Sequence, residues 1–475
     1  MPEQRDVVLV GNAVAVLAAA HDLTERGRKV TVLNSTPNWG GHFAGMRLHG
    51  QDFDLGMVFP EFWAFNVEEA PDPLTYDRHL QNDCGRFSAL CGRWLNRFVE
   101  MHEIAPPEVM FRGRTYPDII LTNQLDILKA LSPEESSRAR AELQSSLSRP
   151  DDPRHARQKI RSPRWETLSY SQAAAYNHGP TLDGLFFSPV LWKVFHASGD
   201  TILARYHRIA WLPMYYPETL LEVLEGGPQT LHDTPLYYPT TGSLGRLFAK
   251  AGGSLKTLPN AEVLPAAITA LSGGPGQWRV TLTEGQTLTA RSFAWALDQG
   301  SLLEALGEDS PRAVLEKTSI TLAFLSVPKE QVPHASPTVF FPEDDTPFYR
   351  VTNLDACVNT PESRHRLIVE ANPAHAGWEG LEEAAIKAQI HRGLCAHGLV
   401  EGQIPEAFTI KTLKNALALP TAQNRQVHNA QLERIQAMAP GMGLMASSGV
   451  WFTASLNDQI VQGLQFSRQQ EGDGR

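Results

Sequence analysis

The opening residues restrict this chain more than any other stretch. Val7 to Val10 is a short apolar run of the kind that makes a buried parallel strand. Gly11 permits a tight turn. Leu17, Ala18, Ala20 and Leu23 then recur at helical spacing, and Gly27 stands where that helix should stop. Val30 to Leu33 is a second apolar strand, followed after a short loop by Gly40-Gly41. Strand, turn, helix and strand in this order predict a βαβ unit of the dinucleotide-binding type.

The glycine pattern of such units is only partly kept. The motif is G-x-G-x-x-G, with an acid closing the second strand for the ribose hydroxyls. Gly11 holds the first position, Ala13 replaces the second glycine, Val16 replaces the third, and Asn34 stands where the acid belongs. Ala13 adds one methyl group near the place of a pyrophosphate, with Asn12 between. Val16 is the larger change, because the third glycine allows close helix–strand packing. Asn34 can hydrogen-bond a hydroxyl but lacks the charge-assisted acceptor. Each lost contact is worth roughly 1–3 kcal/mol if buried. A βαβ unit without a ligand is the plain alternative.

Composition narrows the class. At 475 residues the chain exceeds what one hydrophobic core usually serves, so two interleaved domains are expected. A net charge of −10 argues against nonspecific binding to nucleic acid or to an anionic membrane. Cys84, Cys91, Cys357 and Cys395 make neither a metal-ligand spacing nor a disulfide framework, which suits core filling in a reduced, cytosolic setting. The sequence enters its first strand without a charged-then-apolar leader. No apolar run approaches the ~20 residues that span a bilayer.

Further landmarks follow in order. Gly40-Gly41-His42 leads into a hairpin ending Asp54-Leu-Gly56. Phe111-Arg-Gly-Arg-Thr-Tyr-Pro117 reads as a hairpin turn. Tyr237-Tyr-Pro-Thr-Thr-Gly242 precedes a helix and a short strand ending near Val263. Arg291 to Asp298 is a strand running into a loop at Ala296. Pro347-Phe-Tyr-Arg350 opens another strand, and Gly449-Val-Trp451 precedes Leu456-Asn457-Asp-Gln-Ile-Val-Gln-Gly463. In this order the landmarks resemble the superfamily of FAD-dependent amine oxidases, phytoene desaturases and protoporphyrinogen oxidases, with features of the UDP-galactopyranose mutases.

The resemblance implies an α/β architecture: a Rossmann-like FAD-binding domain from 1–60, 226–316 and 438–475, interleaved with an α+β substrate domain from 61–225 and 317–437. It places FAD along Gly11, Asn12, Ala13 and Asn34, past Gly40, Gly41 and His42. Val263 would meet the adenine, Ala296 the pyrophosphate, and Trp451, Leu456 and Asn457 the flavin end. Ser455 is read as N-cap of the helix from Leu456, whose N–H groups would face an anionic or acceptor edge. His42 stands where amine oxidases often carry arginine, Val58 where the mutases carry histidine, and Val450 where an acid follows the glycine. A chain with Val16, Asn34 and Val450 together is expected to hold FAD weakly or to have lost it.

The substrate domain carries fewer signals. Leu80 to Val99, Pro133 to Leu147, Ser169 to Tyr176, Leu185 to His196 and Thr201 to Trp211 are read as helices, with Ser132 and Glu135 forming a capping box. Phe186, Phe187, Trp192 and Phe195 make an aromatic stripe, core or substrate wall, with Trp192 the candidate substrate contact. Arg350 is the candidate for an anionic substrate group, since its fork matches phosphate or carboxylate oxygens, although a single strand arginine is commonly an ion-pair member. Lys317 is a weak catalytic candidate, as a displaced form of the lysine that amine oxidases place near the flavin; a solvated lysine at a strand end is the alternative. The function implied is a flavin-dependent oxidoreductase moving a hydride from a small organic substrate. Two alternatives stay open: a non-catalytic scaffold or partner subunit that has lost tight FAD binding, and a UDP-galactopyranose mutase-like isomerase; the partners expected are a small-molecule substrate and either a protein partner or a second copy of the chain in a homo-oligomer.

Overall fold

The computed structural model describes residues 4–60, 85–117, 125–158, 162–227, 236–308, 314–358, 363–450, 452 and 455–470. The chain divides into two compact units, residues 1–103 with 237–315 and 425–475, and residues 104–236 with 316–424.

The first unit is built on the predicted βαβ: β1 (Gln4–Val10), α1 (Val14–Glu25) and β2 (Val30–Leu33). Its seven-stranded sheet runs Ile268–Ser272, Trp278–Leu282, Thr287–Trp295, β1, β2, Ala261–Leu264, with Gly443–Leu444 paired to Thr287–Trp295. β1 is parallel to β2 and to Thr287–Trp295, while the first two strands of that order join antiparallel. Trp278, Phe293, Trp295, Leu302 and Leu303 pack with Val8 and Val10 in one apolar cluster. α1 is buried nearly all round, from Val14 to His21, as expected of a helix with little polar surface.

The last helix, Leu456–Gln469, runs along α1. Gly463 makes this possible: a Cβ there would sit 2.2 Å from the Ala15 carbonyl oxygen and 2.8 Å from the Ala18 Cβ. Four residues further on, the Ser467 hydroxyl donates to Asp22 at 2.6 Å. Gly85–Asn96 also belongs to this unit, where the Cys91 thiol lies 3.6 Å from the Asn457 carbonyl oxygen. That contact sets the helix apart from the 61–225 segment with which the sequence groups it.

Asp54, fully buried, shows what the Asp-x-Gly segment does for the fold. Its carboxylate accepts from the Tyr238 hydroxyl and from the backbone N–H of Gly245 at 3.1 Å, at the start of helix Leu244–Leu255. An anion suits a helix N-terminus. The same helix lays Gly245 on the Ala44 carbonyl, Phe248 under Gly40 and Gly252 on the Trp39 indole, which sets the course of the double-glycine loop.

The second unit holds another seven-stranded sheet, ordered Phe408–Ala418, Lys317–Pro328, Arg364–Ala371, Arg350–Asn353, Thr338–Phe340, Glu108–Phe111, Arg114–Pro117. Only Thr338–Phe340 with Glu108–Phe111 is parallel. Leu325, Val327, Leu367, Val369 and Phe348 pack against Ile390 and Leu394 of helix Glu383–Ala396. Helix Pro133–Leu147 carries the expected Ser132–Glu135 capping box. The predicted helix at Leu185–His196 is instead the end of a longer run, α from Gly179, π over Asp183–Phe187, then α over Ser188–Phe195. Thr201–Trp211 forms a 3-10 segment, Ala204–Ala210, rather than an α-helix.

Candidate functional site

A cleft of about 430 Å³ opens at the C-terminal ends of β1 and β2, walled by Gly11, Asn12, Asn34, Thr36, Leu297 and Glu304 among others. This is where open α/β sheets bind nucleotides, and the volume is in the usual range for a ligand site. Val16 does not enter it. That side chain is fully buried in α1 and is not among the residues that line the cleft.

Gly11 turns at φ +112° and donates its N–H to Leu33 at 2.9 Å. A Cβ here would lie 3.2 Å from the Leu297 side chain and 3.5 Å from the Ala296 carbonyl carbon, so the glycine lets the turn pack closely on the strand end at Ala296 and Leu297. Asn12 donates its side-chain amide to the Thr36 hydroxyl at 3.0 Å, and its carbonyl accepts from the Gly40 N–H at 2.7 Å. Ala13, the N-cap of α1, forms a parallel bridge with Gly40. Gly40 at φ +104° and Gly41 at φ +59° therefore pass directly over the first turn of α1. His42 lies in the following 3-10 turn, its ring 3.9 Å from that of Phe43. Val263 pairs with Val32, and the Ala296 N–H donates to Val10 at 3.0 Å.

Asn34 is turned away from the acid's expected task. It is buried; its carbonyl oxygen accepts from the N–H and hydroxyl of Thr36, and its amide donates to the Asn38 carbonyl at 3.1 Å. These bonds shape the loop after β2, as Asn commonly does in turns. They occupy the atoms that would meet a ribose.

Leu456 and Asn457 lie in the first turn of the last helix, and Trp451 lies outside the described residues. Ser455 is the N-cap as expected, within a capping box whose other member is Asp458: each side chain accepts the other's backbone N–H. The helix end thus carries its own carboxylate. The residue missed by sequence reasoning is Gln459. It is buried, and its side-chain oxygen accepts the Val14 N–H, the first donor of α1, at 3.1 Å. The spacing of Gln459, Gly463 and Ser467 on one helix face, opposite an alanine-rich helix, is the signal that was available.

The candidates of the second unit are arranged differently. Arg350 is buried and forms a two-pronged ion pair with Glu370, Nε to Oε1 at 2.7 Å and Nη2 to Oε2 at 2.6 Å, stacked against Phe340 and Tyr349. The fork that was to take a phosphate is engaged by this carboxylate. Trp192 is 42% exposed, unlike Phe186, Phe187 and Phe195, which are core. It leaves the apolar interior expected of the stripe and stands beside His196, with ring centroids 4.6 Å apart. Lys317 is exposed at the end of its strand, paired with Ala418.

Lys193, next to Trp192, is a further buried cation. Its ammonium donates to the carbonyls of Phe341 at 3.0 Å and Glu343 at 2.6 Å, and burial pulls it down to about 8. Among the described residues no group of His, Cys, Asp and Glu is placed to hold a metal ion, and no helix is long and apolar enough to cross a membrane.

No protein-family model and no curated protein sequence matches the chain. Solved structures do. A reduced UDP-galactopyranose mutase superposes with TM-score 0.71 at 16% identity, covering 100% of this chain and 96% of that one. A protoporphyrinogen oxidase-like protein from Exiguobacterium sp. 255-15 gives 0.65 at 16% identity, with both chains covered in full. A putrescine oxidase with bound putrescine gives 0.58 at 14%, covering 98% of this chain and 99% of that one. All three are at most 16% identical to this chain, and what they share with it is the fold, over 98–100% of this chain.

Proposed function

We propose that the protein is a flavin-dependent oxidoreductase with a weakened hold on its cofactor. The observation that carries this reading is the cleft beside Gly11 and Asn12, still open and partly polar at the nucleotide position of a fold shared at full length with flavoenzymes. Hydride transfer between a small organic substrate and the flavin is the chemistry FAD supplies when bound. The residues present fit the adenosine end best. Gly11 lines the cleft without a side chain, and Thr36 and Ser301 stand in the cleft wall; Val263, the adenine candidate, pairs with Val32 on the neighbouring strand. Gly40, Gly41 and His42 would border the pyrophosphate, beside Ala13 and Ala296. Leu456 and Asn457 would stand toward the flavin.

The second reading is a non-catalytic scaffold or partner subunit. Three observations favour it: Asn34 spends its hydrogen bonds within its own loop, Asp458 puts a negative charge on the last helix's N-terminus, and Gln459 occupies an α1 donor. The mutase reading loses one of its two supports, since Arg350 is held by Glu370, and keeps the Gly113–Pro117 segment.

Purified protein reconstituted with FAD and desalted separates these readings. Retained flavin absorbance and a raised melting temperature support the oxidoreductase. A colourless protein that FAD does not stabilise supports the scaffold. Flavin bleaching by amines, against turnover of a UDP-sugar with reductant, then separates oxidase from mutase.

A further inference from the structure

We infer that Glu304 takes over the work of the acid missing at Asn34: its carboxylate accepts the ribose hydroxyls of the cofactor's adenosine end, from a different wall of the cleft. This rests on the FAD reading above and names the residue that reads the nucleoside. In a dinucleotide site of the usual kind the acid closes the second strand and receives those hydroxyls. Here the side chain at that place is Asn34, whose oxygen and amide are held by Thr36 and Asn38. Asn12 and Thr36, in the same wall, are bonded to each other at 3.0 Å. Among the described residues that line the cleft, Glu304 alone carries a charge.

Packing sets its place. Helix Gln299–Ala305 begins at Asp298, whose carboxylate accepts the Ser301 N–H at 2.9 Å and the Ser301 hydroxyl at 2.6 Å. The Gln299 amide ties the helix to the Ser448 carbonyl at 2.9 Å, and Leu302 and Leu303 are fully buried in the apolar cluster with Trp295. With those two leucines inward, Ser301, Glu304 and Ala305 share the helix face that lines the cleft. A carboxylate has two oxygens and about four acceptor sites, so it can receive a vicinal pair of hydroxyls together. Its charge makes those bonds stronger than an amide could. The ligand class this fits is a nucleoside whose ribose keeps both hydroxyls free.

The test is titration of the full-length chain, Glu304→Ala and Glu304→Gln with adenosine, dideoxyadenosine and FAD. Calorimetry follows the nucleosides and flavin fluorescence follows FAD. Glu304 is exposed, so both variants should fold as wild type does. Glu304→Ala should bind adenosine and FAD roughly tenfold more weakly, the worth of a hydrogen bond to a charged group. Glu304→Gln should lie between, keeping an acceptor oxygen without the charge. Dideoxyadenosine, which lacks the vicinal hydroxyl pair, should bind all three proteins alike. Equal adenosine and FAD affinity in wild type and Glu304→Ala would overturn the inference while leaving the FAD reading intact. So would dideoxyadenosine affinity that falls in step with adenosine, since Glu304 would then act on the shape of the cleft and not on the hydroxyls. Wild type that binds neither FAD nor adenosine at millimolar concentration would overturn both.

Discussion

Replacing Gly463 by alanine tests the contact that brings the first and last helices together. In a solvent-exposed helix the exchange helps, by about 1 kcal/mol, because glycine has more backbone freedom to lose. At position 463 the added methyl would lie 2.2 Å from the Ala15 carbonyl oxygen, 2.8 Å from the Ala18 Cβ and 2.9 Å from the Ala19 nitrogen. Two of these are backbone atoms of a buried helix and cannot rotate aside. The helices must separate, which breaks the packing of a buried face and costs about 1–3 kcal/mol or more. The penalty exceeds the propensity gain, so a net loss of about 1–2 kcal/mol is expected, seen as a melting temperature lowered by a few °C.

Gly253→Ala is the matched control. It sits in helix Leu244–Leu255, where a Cβ would meet nothing within 4 Å, and should gain up to about 1 kcal/mol. Differential scanning fluorimetry and urea unfolding of both variants measure the two signs. Gly463→Ala at wild-type stability or above would refute the reasoning, since the helices would then have slack that the geometry denies.

Other expectations are as direct. Arg350→Met should destabilise by about 3–5 kcal/mol by removing the cation beside the buried Glu370, and the double variant with Glu370→Leu should recover much of the loss; urea midpoints of both decide it. Asp54→Asn should cost about 1–3 kcal/mol by removing the anion from the N-terminus of helix Leu244–Leu255, measured as a fall in melting temperature. Asp183 is raised to about 6 by burial, so its carboxyl favours the fold at pH below about 4, and that contribution is lost as pH rises through 6. Asp183→Asn should therefore stabilise at pH 7, by up to about 2–3 kcal/mol, and have little effect at pH 4; equal effects at both would contradict the burial argument.

Much of this was readable from local signals. The βαβ opening, the Ser132–Glu135 capping box, the Arg112-Gly113 hairpin and the Ser455 cap depend on neighbours within a few residues, and all appear at the expected places. Apolar spacing and turn residues act over such distances, so a sequence carries them openly. The sequence also showed where it departs from the G-x-G-x-x-G pattern, because that spacing is fixed by one turn and one helix.

Tertiary structure decided what those changed residues do. Asn34 lines the cleft, but its side-chain amide is engaged by Thr36 and Asn38. Arg350 could have held a phosphate, but register places Glu370 opposite it on the next strand. Gln459 meets Val14 across most of the chain's length, through helix packing that no local pattern specifies. Hydrogen bonds and ion pairs act at about 3 Å, so which partner a polar side chain takes depends on the chain folding back on itself.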